Sequence, residues 1–371
     1  MDNNISISLC MIVKNEEDAL RRCLSSVKDI VNEIIIVDTG STDKTKEIAR
    51  EFQSELFDFE WIGDFSAARN YAFSKASKDY ILWLDADDYL DGDNIEKLKN
   101  LKRNLDKKYD SITMDYSLTR DEKGNTIFSL KRNRLVKRWR NFKWIGKVHE
   151  YLEVYGLIYN SNITVNHGKL KKGTDRNLKI FKKMIEDNIE FSARDMFYYS
   201  NELYYNSFYK EAIDNYEKFL SLPNSWIEDK KIAFNNMAEC YIYFNDKENL
   251  INTIFRFLKE MPPTGEICCK LGDYFTKEES LEQAVFWYKA ALECITSKNN
   301  LSYNNREYYT WIPAINLSLS YYKLKDYDKA YYYNELAASY GFGDNEKITH
   351  NREFYKKMYS ENGLTLPEIN L

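Results

Sequence analysis

The sequence predicts an α/β domain built on a parallel sheet over residues 1–172, followed by an all-α domain of stacked helical repeats over residues 173–371. In the first part, short apolar runs alternate with amphipathic stretches, which is typical of β-α-β units with right-handed crossovers. In the second part, small and aromatic residues recur with a period close to that of a two-helix repeat. A chain of 371 residues is long enough for two domains that each bury a core.

Four apolar runs predict the strands of this sheet: residues 5–13, 33–38, 57–61 and 80–84. Between the first two runs, four residues share one helix face at the spacing i, i+3, i+4 and i+7: Leu20, Cys23, Leu24 and Val27. Asn15 is the predicted N-cap of this helix, and Asp64 is the predicted start of a later one.

Polar residues follow three of these strands: Asn15 and Glu16, then Asp38, then Asp85 and Asp87. Because the carboxyl ends of parallel strands meet at one edge, a single crevice is expected to collect them. Buried carboxylates are costly unless a cation lies against them, and a hard divalent metal holding a diphosphate would meet that need. The alternative is an acidic turn that caps the next helix. The crevice lacks G-x-G-x-x-G and G-x-x-x-x-G-K-[ST], which argues against a dinucleotide fold and a P-loop.

The C-terminal part has a period that fits tetratricopeptide-type helix pairs. Four positions are equivalent, at spacings of 38, 34 and 46 residues: Ala212, Leu250, Ala284 and Ala330. An irregular helical domain with an aromatic core is the alternative. The tyrosines of the repeats are expected to be mostly packing residues, and some can line a groove for a peptide or for a second copy of the chain in a homodimer: Tyr198, Tyr199, Tyr204, Tyr205, Tyr331, Tyr332 and Tyr333.

The composition limits the classes of partner and the compartment that are expected for the protein. The net charge is −5, so no polyelectrolyte role and no nucleic-acid partner is predicted. The run 131–147 holds eight basic residues with aromatic residues between them, and we interpret it as a solvated strand face with one or two cations that reach a diphosphate. Six cysteines without a C-x-x-C pair indicate reduced thiols. Residues 1–4 lack a basic signal-peptide region, and no apolar stretch reaches membrane-spanning length, so a soluble, cytoplasmic protein is expected.

Four segments in order resemble family 2 glycosyltransferases of the GT-A (Rossmann-like) fold: SISLCMIVKNEE, IIIVDTGSTDKT, GDFSAARN and ILWLDADD. The later KWIGKVHE and VNHG resemble a subgroup that carries tetratricopeptide-type repeats. Lipopolysaccharide-core glucosyltransferases and sublancin-type peptide S-glycosyltransferases belong to that subgroup. The resemblance covers roughly residues 5–175 strongly and the repeats loosely.

The resemblance implies donor contacts at the matching positions of this sequence. It places nucleoside contacts at Val13, Asn15 and Glu16, a uracil contact at Asp38, base and ribose contacts at Asp64, Arg69 and Asn70, and the ribose and the metal–diphosphate beside Asp85 and Asp87.

Metal binding is predicted at Asp87 with Asp85 or Asp88, because Mn²⁺ and Mg²⁺ both favour carboxylate, phosphate and water oxygens. By resemblance, His167 completes the coordination or touches the diphosphate. The alternative is a loop histidine that precedes a linker.

The catalytic base is less defined by the sequence. Many family members carry a Glu-Asp pair after the sheet, and none stands at the expected place here. Glu150 is the preferred general base, and the alternative is that it pairs with a nearby lysine or arginine. His149, directly before it, is a further catalytic candidate, together with Asp87 as the metal-binding residue.

The predicted function is inverting, metal-dependent transfer of a hexose from a UDP-sugar, such as UDP-glucose or UDP-N-acetylglucosamine, to a cysteine, serine or threonine of a peptide or protein. A lipid-linked or cell-envelope saccharide is the alternative acceptor. A non-catalytic nucleotide-binding scaffold is an alternative of another class. A nucleotidyltransferase would need a glycine-rich basic loop after the first strand, where this chain has residues 14–18, KNEED.

Overall fold

The structure is a computed structural model that describes residues 4–120, 126–168, 175–223, 225–294, 305–342 and 345–369. It forms two compact units, Met1–Asn206 and Ser207–Leu371. The boundary predicted at residues 172/173 divides the chain by sequence pattern and stays a prediction. No helix among the described residues is both long enough and apolar enough to span a bilayer.

The first unit alternates strands and helices before it ends in two helices. Its strands are β1 Ile7–Val13, β2 Glu33–Asp38, β3 Glu55–Asp58, β4 Tyr80–Trp83, β5 Asp88–Tyr89, β6 Ser111–Arg120, β7 Thr126–Lys137, β8 Lys143–Ile145, β9 Tyr151–Glu153 and β10 Ile158–His167. Its helices are α1 Leu20–Val27, α2 Thr45–Glu51, α3 Phe65–Lys75, α4 Gly92–Asn104, α5 Arg176–Glu186 and α6 Ala193–Tyr205.

Eight strands form one sheet in the order β3-β2-β1-β4-β7-β6-β10-β5. The first four are parallel, as the β-α-β pattern predicted. The prediction of a parallel sheet is wrong for the rest, because β7 runs antiparallel to both β4 and β6, and β5 runs antiparallel to β10. A long β6–β7 pair returns the chain beside β4 without a crossover helix, so the sheet becomes mixed there. A separate two-stranded sheet joins β8 to β9.

Parallel pairing brings the predicted strand ends together. Val13 lies beside Asp38, and Cys10 lies beside Trp83 at the end of β4. Helix α1 covers this sheet with its four predicted apolar residues, all buried in the main core. Its cap was predicted wrongly: the helix begins at Leu20, and Asn15 instead adopts a left-handed conformation. The Asp64 carboxylate does cap α3, accepting a hydrogen bond from the backbone N–H of Ala67.

The second unit is a series of helices packed on their neighbours in sequence. They are α7 Tyr209–Leu220, α8 Ile227–Tyr243, α9 Lys247–Glu260, α10 Gly265–Lys277, α11 Leu281–Glu293, α12 Trp311–Lys323, α13 Tyr327–Ala337 and α14 Glu346–Glu361. The predicted repeat positions each fall on the fourth residue of α7, α9, α11 and α13, and all are buried. Two residues before each of these helices, the backbone turns through the left-handed region, at Ser207, Asn245, Glu279 and Lys325. The helical repeat region is therefore confirmed, with the predicted phase.

Gly272 marks a close approach of α10 to α11. A Cβ at this position would lie 2.4 Å from the ring of Tyr288, whose hydroxyl is held by the Asp273 carboxylate at 2.6 Å. We expect Gly272→Ala to lower the free energy of unfolding by about 1–3 kcal/mol, although alanine is the better helix former. Urea denaturation followed by circular dichroism measures this. Lys277→Ala, at an exposed position of the same helix, is the control. Equal stability of the two variants would contradict the packing argument.

Candidate functional site

A cavity of about 410 Å³ opens at the carboxyl ends of β1 and β4. Seven of the predicted site residues line it: Val13, Glu16, Arg69, Asp85, Asp87, His149 and Glu150. Of the five strand-end residues that were expected to share one crevice, Glu16, Asp85 and Asp87 line this cavity, whereas Asn15 and Asp38 do not.

Asp87, Asp88 and His167 form a group whose ligand-type atoms all lie within 4.8 Å of one another. The His167 Nδ1 atom lies 3.6 Å from an Asp87 carboxylate oxygen and 3.8 Å from one of Asp88, and 2.8 Å from the Tyr116 hydroxyl. The antiparallel bridge between β10 and β5 places His167 directly beside Asp88. Carboxylate oxygens are ligands that both Mn²⁺ and Mg²⁺ favour, and the imidazole nitrogen is a third donor in the group.

The surroundings shift the pKa of two members of this group. Burial raises the pKa of the Asp87 carboxyl, as do Asp85, Asp88 and Glu16, while His167 opposes the shift. The neighbouring Asp88 carboxylate raises the pKa of His167, although burial lowers it. One Asp88 carboxylate oxygen, Oδ1, is buried without a hydrogen-bond partner among the described residues. A divalent cation would satisfy that oxygen.

Arg134 is the buried counter-ion of Asp88. The two side chains are fully buried, and their closest N and O atoms are 2.9 Å apart. The guanidinium carbon lies 3.9 Å from the ring centre of Trp83 and 4.5 Å from that of Tyr116. The prediction of a solvated strand face for the basic run is therefore wrong at this position, because alternate residues of β7 point into the core.

Arg69 bridges two of the predicted acids. Its Nη2 donates to an Asp85 oxygen at 2.8 Å, and its Nε donates to a Glu150 oxygen at 2.6 Å. Burial alone would raise the pKa of Asp85, but the charges of Arg69 and Arg134 hold it well below its usual range. Asp85 is thus neutralised by arginine and lies outside the Asp87, Asp88 and His167 group. Its predicted role as a metal ligand stays a prediction, and this geometry favours Asp88 as the partner of Asp87.

His149 is held from several sides. Its Nε2 lies 2.9 Å from a Glu202 carboxylate oxygen, and its ring stacks on Tyr198 with centroids 4.1 Å apart. The Arg194 guanidinium donates to its backbone carbonyl at 3.0 Å. Its φ of 51° lies in the left-handed region. Non-glycine residues are strained there and persist only where the surroundings hold them.

Four predicted donor residues have structural contacts and do not line the cavity. Asn15 Oδ1 accepts a hydrogen bond from the Thr42 backbone at 2.7 Å. Asp38 is fully buried, with Oδ1 accepting from two backbone N–H groups and Oδ2 without a hydrogen-bond partner among the described residues. Asp64 caps α3, and Asn70 exchanges two hydrogen bonds of 2.9 Å with the backbone of Trp144. Their donor contacts stay predictions.

Helices α5 and α6 supply cavity residues that sequence reasoning missed, Arg176, Asn177 and Arg194, and also Tyr198, one of the tyrosines expected to pack or to line a groove. They lie beyond residue 172, in helices whose apolar spacing resembles that of the repeats. No local signal distinguishes them from repeat surface residues. Arg132, which also lines the cavity, had a signal in the basic run that leads into it.

A second cavity of about 680 Å³ adjoins the first and shares Trp61 and Arg176 with it. Ile180 and Met184 of α5 give it apolar walls, and Lys147 adds a cation.

Residues 8–190 match the family described as Glycosyl transferase family 2. The chain contains a family 2 glycosyltransferase domain. This domain spans the sheet, the Asp87, Asp88 and His167 group, and the first of the two helices that close the cavity.

Two curated relatives share this region. The TPR repeat-containing protein of Synechococcus elongatus is 39% identical over 149 residues, which are 40% of this chain and 35% of that protein. The SPbeta prophage-derived glycosyltransferase SunS of Bacillus subtilis is 30% identical over 234 residues, 58% of this chain and 54% of that protein. The chain thus spans between a third and just over half the length of these relatives.

Two solved structures are similar at low identity. S. aureus TarS 1–349 in complex with UDP-GlcNAc is 13% identical with a TM-score of 0.34, over 91% of this chain and 92% of that one. Glucosyl-3-phosphoglycerate synthase from Mycobacterium tuberculosis in complex with Mn²⁺ and UDP-glucose is 15% identical with a TM-score of 0.36, over 51% and 81% respectively.

Proposed function

We propose that this protein is an inverting hexosyltransferase that depends on Mn²⁺ or Mg²⁺ and takes its sugar from UDP-glucose or UDP-N-acetylglucosamine. The observation that carries the proposal is the Asp87, Asp88 and His167 group, of which Asp87 lines the cavity. Three metal-type donors converge there, one of them a buried carboxylate oxygen without a hydrogen-bond partner among the described residues.

The metal would be held by Asp87, Asp88 and His167, and when bound it would neutralise the leaving diphosphate. The cavity itself supplies further positive charge through Arg132 and Arg176. Arg69 remains charged between Asp85 and Glu150, because these two carboxylates raise its pKa although burial opposes them. It fixes the orientation of Asp85, the residue proposed to flank the donor ribose.

The acceptor we propose is a cysteine, serine or threonine side chain of a peptide or protein. The resemblance to sublancin-type peptide S-glycosyltransferases favours it. The second cavity, which meets the first at Trp61 and Arg176, is a place where an acceptor segment can approach the donor. A lipid-linked or cell-envelope saccharide is the alternative acceptor, which a panel of acceptors separates from a peptide.

The donor proposal is tested by thermal unfolding of the full chain with UDP-glucose, UDP-N-acetylglucosamine and GDP-mannose, each with Mn²⁺ or with EDTA. A UDP-sugar is expected to raise the melting temperature only with Mn²⁺, because a ligand that binds the folded state stabilises it. Release of UDP in the same mixtures distinguishes an enzyme from a nucleotide-binding scaffold. Equal shifts with all three sugars, or shifts that persist in EDTA, would contradict the proposal.

A further inference from the structure

The cavity contains a histidine–carboxylate pair that the donor and metal chemistry does not use. His149 lies at its wall with a third of its side chain exposed, and Glu202 of α6 lies behind it, buried. The 2.9 Å contact joins the His149 Nε2 atom to a Glu202 carboxylate oxygen. Because a carboxylate only accepts hydrogen bonds, a neutral His149 must carry its proton on Nε2.

The other ring nitrogen is then a free base. Nδ1 of His149 keeps its lone pair, and it has no hydrogen-bond partner among the residues that the structure describes. A histidine whose second nitrogen is fixed by a carboxylate is the arrangement that hydrolases use for general-base catalysis. The carboxylate holds the tautomer and stabilises the imidazolium that forms.

Neighbouring side chains hold both members of the His149–Glu202 pair in place. Asn177 of α5 donates to the same Glu202 oxygen at 2.9 Å, which fixes the carboxylate. Tyr198 stacks on the imidazole face, and Arg194 holds the backbone carbonyl of His149 in its left-handed conformation. These contacts hold both the ring and the backbone of His149 in place at the cavity wall.

Glu150, the base that the sequence favoured, is less suited to the task. Its carboxylate is nearly buried and accepts a 2.6 Å hydrogen bond from Arg69, a permanent cation. The Arg69 guanidinium already occupies one oxygen of this carboxylate, so that oxygen is not available to accept the acceptor proton.

We propose that His149 is the general base that deprotonates the acceptor, and that Glu202 is its positioning residue. This inference rests on the proposed function. The His149 Nδ1 atom takes the proton of the acceptor hydroxyl or thiol while the acceptor oxygen or sulfur bonds to C1 of the sugar. The bond between C1 and the β-phosphate oxygen breaks, and its electron pair leaves with UDP. The proton on Nδ1 later passes to solvent.

The test uses the full chain with Mn²⁺ and UDP-glucose or UDP-N-acetylglucosamine, and measures UDP release to water across a pH series. His149→Gln keeps an amide that can donate to Glu202 but has no base, so turnover is expected to fall by about 10²–10⁴-fold. Glu202→Gln is expected to lower turnover by about 10-fold or more. Donor-induced melting shifts should stay as in the wild type, because neither residue belongs to the metal group.

The pH profile distinguishes a catalytic role of His149 from a purely structural one. An imidazole loses its lone pair on protonation, so the wild-type rate should fall on the acidic side, and His149→Gln should remove that limb. Charged groups other than His149 also line the cavity and all remain in this variant: Lys14, Glu16, Arg69, Asp85, Asp87, Arg132, Glu150, Arg176 and Arg194, with Glu202 in contact with the ring. Added imidazole should restore part of the rate in His149→Ala. Glu186→Gln, at an exposed position of α5, is the control.

Wild-type turnover and an intact acidic limb in His149→Gln would overturn the inference, as would loss of that limb in Glu150→Gln alone. Absence of any donor-induced melting shift in the wild type would overturn the proposed function and this inference together.

Discussion

An Asp87→Asn variant is expected to lose donor turnover by about 10³-fold or more, together with the response to Mn²⁺. A metal that neutralises a leaving diphosphate supplies several kcal/mol of transition-state stabilisation, and each 1.4 kcal/mol corresponds to about tenfold in rate. Asp87 lies at the cavity edge within the Asp87, Asp88 and His167 group, so its carboxylate can reach both metal and donor. Release of UDP during a Mn²⁺ titration measures both effects.

Asp93→Asn is the matched control for this experiment. Asp93 is an exposed carboxylate in the first turn of α4, and it does not line the cavity. Its substitution makes the same change of residue without removing a donor of the group. Equal Mn²⁺ responses in the two variants would refute the metal assignment.

Arg134→Met is expected to lower the free energy of unfolding by about 3–5 kcal/mol. The substitution leaves the fully buried carboxylate of Asp88 without its cation, and an uncompensated buried charge is strongly destabilising. Urea denaturation measures the loss. Arg103→Met, at an exposed position of α4, is expected to stay within about 0.5 kcal/mol of the wild type.

The double variant Asp88→Asn with Arg134→Met tests the cause. If the loss comes from the orphaned carboxylate, the double variant should be more stable than Arg134→Met alone, since its buried charge is gone. Additive losses would mean that Arg134 acts through its packing on Trp83 and Tyr116 instead. Saturating Mn²⁺ should also stabilise Arg134→Met, because the cation would bind to the same carboxylate.

Most of the fold was predicted from the periodic spacing of apolar residues within single strands and helices. The strand 33–38 was predicted at its observed bounds, and the apolar face of α1 was predicted residue by residue. Side-chain alternation and helical spacing are set by the geometry of a single element, so one sequence is enough to read them. The prediction of Asn15 as the N-cap was wrong because its side chain binds to the Thr42 backbone, in the loop after the neighbouring strand.

The sequence predicted the cavity residues that directly follow a strand, and it missed those that reach the cavity from elements distant in the chain. Asp85 and Asp87 follow β4, and their place at the crevice followed from parallel pairing. The buried state of Arg134 could not be predicted, since a basic residue in an amphipathic strand is more often exposed. Glu202 lies 53 residues from His149, in a helix that the sequence pattern assigned to the repeats.

The sequence by itself determined the alternation of strands and helices, the edge at which the acids gather and the phase of the repeats, because each follows from periodicity within one element or from pairing of consecutive units. Only the tertiary structure decided that Asp88 and His167 join Asp87, that arginine neutralises Asp85, and that α6 completes the wall of the cavity. Those contacts form because the antiparallel strands and two later helices bring together residues that are far apart in the chain. The spacing of residues within one element cannot predict such contacts.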